Sequence, residues 1–199
     1  MARRKVGNLM ALAILSAVHS QPMHPYEMAS VLRSRGKDHD MRIKWGSLYT
    51  VVGNLEKHGL IEPIGSERVG GRPERTVYRI TEAGRDELDD WVRELLAMPQ
   101  HERSPFVAGL SIAAALPPDD VVALLRERLG RLDAEITAQR AAIEGFRAEV
   151  TRLFLVESEY ELAMREAEAG WVRALLGELT SGTFEGLAEW KEWHTEATK

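Results

Sequence analysis

Between Ser47 and His58 the apolar residues Leu48, Val51, Val52 and Leu55 recur at helical spacing, while Tyr49, Thr50, Asn54 and Lys57 fall outside that stripe. The pattern predicts a short amphipathic helix with Ser47 as N-cap and Gly59 as a left-handed stop. One face packs, and the other is available to a partner. Immediately after it, Leu60 to Ile64 and Thr76 to Ile80 read as strands joined by GSERVGGRPER, where Gly65, Gly70, Gly71 and Pro73 supply turn chemistry. That is a hairpin whose tip carries Arg68, Arg72 and Arg75 with nothing apolar to bury them.

Upstream, Leu9 to Val18 is apolar nearly all round, as the central helix of a small trihelical core would be. Its basic start and apolar run imitate an export signal. No small-x-small cleavage site follows, however, and the run is shorter than the roughly 20 residues needed to span a bilayer. The segment is therefore read as helix 1 of the domain, with no membrane association. Helix 2 is expected from about Tyr26 to Arg35, entered through His24 and Pro25, with Tyr26, Met28, Ala29, Val31 and Leu32 packing.

A trihelical core followed by a basic hairpin is the plan of a winged helix-turn-helix, in which the last helix enters the major groove and the wing reaches backbone or minor groove. Double-stranded DNA is then the expected partner. Lys37, Arg42 and Lys44 lie in the turn before the recognition helix, suited to phosphate, and Ser47 and Lys57 bound its outer face. Thr50 and Asn54 are short and polar, and Asn can pair with adenine bidentately. The Gly-Gly-Arg-Pro tip lets the backbone approach a duplex closely and directs Arg72 and Arg75 towards a narrow minor groove.

Beyond Thr81 the pattern is helical throughout. Thr81 to Met98 is one helix, and AMPQHERSP breaks it, giving a winged domain over 1–98 and a helical domain over 99–199. Phe106 to Leu116 is a short apolar helix stopped by Pro117 and Pro118; Asp119 and Asp120 then open a long one. In it Val122, Leu125, Leu129, Leu132, Ile136, Ile143, Phe146, Val150 and Leu153 alternate steps of three and four, a heptad seam broken only at Gln139. Tyr160, Met164, Ala167, Trp171, Ala174 and Leu175 offer a stripe that folds back on it antiparallel. The seam is expected both to close within the chain and to build a homodimer, through Leu125, Leu129, Leu132, Ile136, Ile143 and Trp171. Phe184, Leu187, Trp190 and Trp193 predict an added amphipathic helix docking on that dimer. The fold class is mainly α: three helices and a two-stranded wing, then an all-helical, coiled-coil-like dimerisation domain.

Charge sharpens this division. The chain of 199 residues carries a formal −5, but residues 1–81 hold 13 Lys and Arg against 7 Asp and Glu, net +6, and residues 82–199 hold 13 against 24, net −11. A basic front half is the electrostatic footprint expected for phosphate, and an acidic remainder limits indiscriminate sticking to nucleic acid. The absence of Cys removes disulfides, thiolate metal sites and thiol redox sensing, and fits a reducing cytoplasm. Six His residues show no ligand spacing on a shared helix face, and no phosphate-loop, nucleophile-elbow or zinc-protease motif is present. Neither an enzyme nor a cofactor or metal is expected.

Gly46, Leu48 and Tyr49, then Leu55, Glu56, Gly59, Leu60 and Ile61, then Gly71, Arg72 and Pro73, then Ile80, Thr81 and Gly84 resemble, in order, the motif series of the PadR family of bacterial transcriptional regulators. Thr50 stands where that family commonly has Pro, and Pro25 where a Gly is usual. The resemblance implies a DNA contact for Tyr49, a pseudo-palindromic operator and, most often, repression relieved by an effector. Residues 104–179 are similar to the helical dimerisation domain of the longer, virulence-activator alpha type, on Pro105, Phe106, the Leu-Pro-Pro-Asp turn and Trp171. Trp91, Trp171, Trp190 and Trp193 are candidates for lining a pocket for a flat aromatic or drug-like effector, since the resemblance implies such a pocket between the two domains, Trp91 and Trp171 foremost. The expected location is the cytoplasm, on the nucleoid when bound to DNA. A winged-helix adaptor that contacts proteins, or a protein that sequesters a small molecule, are the alternatives.

Overall fold

Helix α1 (Leu9–Ser20) is the axis of the first unit because its apolar residues leave it almost no polar face: Met10 to Leu15, Ala17 and Val18 are all buried. Asn8 caps it, its side chain accepting from Ala11 N at 2.8 Å. The structure is a computed structural model and describes residues 4, 6–37, 41, 44–67, 75–99 and 104–196, except the side chains of Ser66, Glu67, Arg75 and Glu196. The tip residues Arg68, Gly70, Gly71, Arg72 and Pro73, and Arg42 before the recognition helix, lie outside the described residues.

The chain divides into two compact units, Met1–His101 and Glu102–Lys199. In the first, α2 (Pro25–Ser34) packs through Pro25, Met28, Ala29 and Leu32. It begins one residue earlier than the sequence predicts, and Tyr26, expected in the core, is 64% exposed. The spacing of the four buried positions leaves Tyr26 about 100° round the helix from them. His24 closes the N-terminus reciprocally: its ring Nδ1 accepts from Tyr26 N, and its own N–H donates to Glu27 Oε2, both at 3.1 Å.

Helix α3 (Leu48–Lys57) follows a tight turn at Trp45–Ser47 and buries the expected stripe, Leu48, Val51, Val52 and Leu55. Gly59, at φ 71°, ends it, and Leu60 N donates back to Leu55 O at 3.0 Å. Strand β1 (Ile61–Glu67) pairs antiparallel with β2 (Arg75–Ile80), extending three residues beyond the predicted end of the first strand. Ile64 bulges out between Pro63 and Gly65, where Pro63 has no N–H to give the ladder. A bridge that sequence pattern did not indicate joins Met23 to Tyr78, with N–H···O bonds of 3.0 and 3.1 Å in both directions. Helix α4 (Glu82–Ala97) then leaves the wing, capped by Thr81, whose Oγ1 accepts from Gly84 N and donates to Gly59 O. Arg4 lies over the Trp91 ring at 5.0 Å and pairs with Glu87 and Glu94, fixing the start of the chain to α4.

The second unit opens with α5 (Pro105–Ser111), capped by Ser104, and continues through a tight turn at Ala113–Ala115 into α6 (Pro118–Phe146). A turn at Arg152–Phe154 reverses the chain into α7 (Val156–Ser181). The pairs Asp133–Arg173 and Arg140–Glu166 show the two long helices to be antiparallel neighbours, since the partner's number falls as the first rises. Three features of this unit bear on the expectations. First, Leu125, Leu132, Ile136 and Ile143 are buried within the chain's own unit, with Leu129 half-buried, so the seam closes within the chain, as one half of the expectation has it. Second, the inward face of α7 is Ala169, Val172, Leu176 and Leu179; Tyr160, Met164 and Trp171 point outward. The inward residues are smaller, which lets two helices approach closely, whereas spacing alone favoured the larger set. Third, α6 ends at Phe146, which is exposed together with Leu153, so the heptad series does not run on through one helix.

After left-handed Gly182 and Gly186, α8 (Leu187–Glu196) folds back on its own unit. Leu187 and Trp190 are buried with Val121, Leu125 and Val172, and Trp190 Nε1 donates to Leu116 O at 2.9 Å. Among the described residues no helix is long and apolar enough to cross a membrane.

Candidate nucleic-acid interface

Once Leu48, Val51, Val52 and Leu55 are committed to the core, the remaining circumference of α3 is set. Thr50, Gly53, Asn54 and Lys57 form one outward row at i, i+3, i+4 and i+7, with Tyr49 beside them at 71% exposure. Thr50, Asn54 and Lys57, predicted from spacing, are brought together as expected. Gly53 was missed. A Cβ built there meets nothing within 4 Å, so the helix surface is lowest at its centre, where a close approach to a flat partner is easiest. Its position three residues from Thr50 was the available signal.

Two contacts orient the N-terminal end of this row. Arg33 lies over the Trp45 ring at 4.3 Å, anchoring the turn before α3 to α2. Ser47 occupies the N-cap position but does not cap: its hydroxyl donates to Lys44 O at 2.9 Å and approaches Met10 Sδ at 3.7 Å. The predicted side-chain cap is corrected accordingly; the tight turn gives Ser47 backbone angles that turn its hydroxyl away from the helix amides. Ser47 and Lys44 are both exposed at this end.

At the other end, Tyr78 in β2 donates its hydroxyl to Glu56 Oε2 at 3.2 Å, tying α3 to the root of the hairpin. Burial raises the Tyr78 pKa first, and the Glu56 carboxylate raises it further by disfavouring a second negative charge. Arg79 Nε donates to Glu62 Oε1 at 2.7 Å across the two strands. Of the wing cations, Arg68 and Arg72 lie outside the described residues, and Arg75 is described in its backbone alone, paired with Glu67.

The two tryptophans named foremost for an effector have different surroundings. Trp91 is buried in the core of the first unit beneath Arg4. Trp171 meets Phe106 edge-on at 6.1 Å and lines an apolar cavity of about 450 Å³ in the second. Among the described residues no cluster of three or more His, Cys, Asp or Glu is arranged to hold a metal ion.

Residues 14–90 match the transcriptional regulator PadR-like family, so the first unit carries a PadR-like domain. No curated protein matches the chain. Among solved structures it is similar to Bacillus subtilis PadR in complex with operator DNA, at 17% identity and TM-score 0.71, covering 86% of this chain and 99% of that one. The same protein in complex with p-coumaric acid matches at 17% identity and TM-score 0.71, over 87% and 99%. The Vibrio cholerae virulence activator AphA matches at 18% identity and TM-score 0.60, over 86% and 98%. At such identities the likeness establishes the fold: a PadR winged helix followed by a helical C-terminal region.

Proposed function

We propose that this chain is a DNA-binding transcriptional regulator that acts as a homodimeric repressor in the cytoplasm and answers to a small-molecule effector. The observation that carries the reading is the outward row Thr50, Gly53, Asn54 and Lys57 on the third helix of a PadR-like domain, flanked by Tyr49 and Lys44. Thr50 and Asn54 read base edges; Lys44, Ser47 and Lys57 meet phosphate; Tyr49 supplies a contact beside the groove; and Arg68, Arg72 and Arg75 reach from the wing. The dimer forms through outward apolar residues of the second unit, among them Tyr160 and Met164 on α7 and Leu153 and Phe154 at the turn, since large apolar groups on one surface favour a partner. Two-fold symmetry then spaces the recognition helices about 34 Å apart and calls for a pseudo-palindromic operator.

The test is a titration of the purified chain against DNA upstream of its own gene, comparing wild type with Arg72→Ala plus Asn54→Ala at two salt concentrations. Tight, salt-sensitive binding that the double variant loses supports the regulator. Equal weak binding by both proteins overturns it in favour of an adaptor that contacts proteins.

A further inference from the structure

The second unit contains a cavity whose walls come from α5, α6, α7 and α8 and from the segments joining α5 to α6 and α7 to α8. Trp171, Leu175, Phe184, Trp190 and Trp193 are its principal walls, and Leu110 closes one side. Its volume of about 450 Å³ falls within the roughly 300–1,000 Å³ of small-molecule sites. The arrangement depends on α8. Gly182 and Gly186, at φ 79° and 82°, turn the chain back, and Trp190 Nε1 and the His194 ring each reach a carbonyl of the 114–116 segment at 2.9 Å. The cavity is thus built by a latched helix.

Its chemistry is selective. Among the described residues no lining side chain is ionisable, so a carboxylate entering it would lose water without gaining a cation. Two of its aromatic walls are already set at an angle, Phe184 being tilted 57° to Trp190, while Phe106, outside the cavity, holds Trp171 edge-on. The Trp171 and Trp193 indoles make no hydrogen bond among the described residues, and the two residues are 49% and 63% exposed. Two N–H donors therefore remain for a ligand oxygen.

We propose that this cavity binds a neutral, planar aromatic molecule bearing a hydrogen-bond acceptor, and that it is the effector site of the regulator. The second clause rests on the functional reading above; the first does not.

6-Propionyl-2-(dimethylamino)naphthalene, an uncharged planar fluorophore whose ketone is a hydrogen-bond acceptor and which is excited by energy transfer from Trp, is the probe, titrated into the full chain with and without the upstream DNA. One saturable site per chain is expected. Trp193→Ala, at an exposed position, and Leu175→Glu, which brings charge into the cavity, should each weaken the site at least tenfold while thermal melting confirms the fold. The p-coumarate anion should fail to compete. No saturable binding, binding unchanged in both variants, equal affinity for p-coumarate, or binding only after a dimer dissociates would each overturn the site, the last because a second copy would be its occupant. Probe binding without any DNA binding supports the cavity and removes the regulator; DNA binding without probe binding does the reverse.

Discussion

A β-carbon on Gly84 would collide with the carbonyl oxygen of Leu60 and lie 2.8 Å from Ile80 Cγ1. The first turn of α4 therefore rests directly on the backbone that leaves α3, and Thr81 fastens it there through N–H to Leu60 O at 3.1 Å. Gly84→Ala forces this contact apart. The expected loss is about 3 kcal/mol, at the upper end of overpacking costs, read as a lower denaturant midpoint. An unchanged midpoint would mean that α4 can shift freely.

Arg4 joins Glu87, Trp91 and Glu94 on three successive turns of α4, and its two ion pairs hold its charge more firmly than burial disfavours it. Removing it leaves two half-buried carboxylates without their shared cation. Arg4→Ala should cost about 2 kcal/mol in chemical denaturation. Arg4→Lys should recover only part of that, because an ammonium cannot bridge both carboxylates and stack on the indole together.

Asn54 and Lys57 share the outward row, yet the proposed function gives them separable effects. Asn54→Ala should remove about 1–3 kcal/mol of discrimination at one operator position, measured with a panel of single-base variants. Lys57→Ala should weaken all sequences alike and lower the slope of log K against log salt by about 1.

Tyr78 should titrate above its usual value because it is half-buried beside Glu56. A raised pKa means that this contribution to stability is complete below the unfolded tyrosine value of about 10 and is lost as pH rises through the folded one. In Glu56→Gln the phenol should ionise at lower pH, which ultraviolet difference absorbance or tyrosine NMR would read. An unmoved titration would show that the carboxylate does not face it.

Tyr160 and Met164 lie on the outward side of α7. If they belong to the dimer, Tyr160→Glu with Met164→Glu should sediment as a monomer and retain its helix content. A variant that stays dimeric would move the interface elsewhere on the unit.

The sequence by itself determined what local periodicity and local chemistry can encode. The buried stripe Leu48, Val51, Val52 and Leu55 set the face that α3 shows outward, and Gly59 and Thr81 marked where helices stop and start. These depend on neighbours within a turn or two, so the motif series from Gly46 to Gly84 was legible and most of the proposed DNA-facing residues with it. Tertiary structure decided what depends on distant partners. Ser47 turned from cap to turn anchor because Lys44 and Met10 were nearer than the helix amides. The Met23 bridge to Tyr78 joins segments more than fifty residues apart. On α7 two apolar stripes competed, and packing chose Ala169, Val172, Leu176 and Leu179 over the row containing Tyr160 and Trp171, because helix approach rewards small inward residues. That choice turned Trp171 out of the seam. With α8 latched across it, the indole became the wall of a cavity, which periodicity along one helix could not reveal.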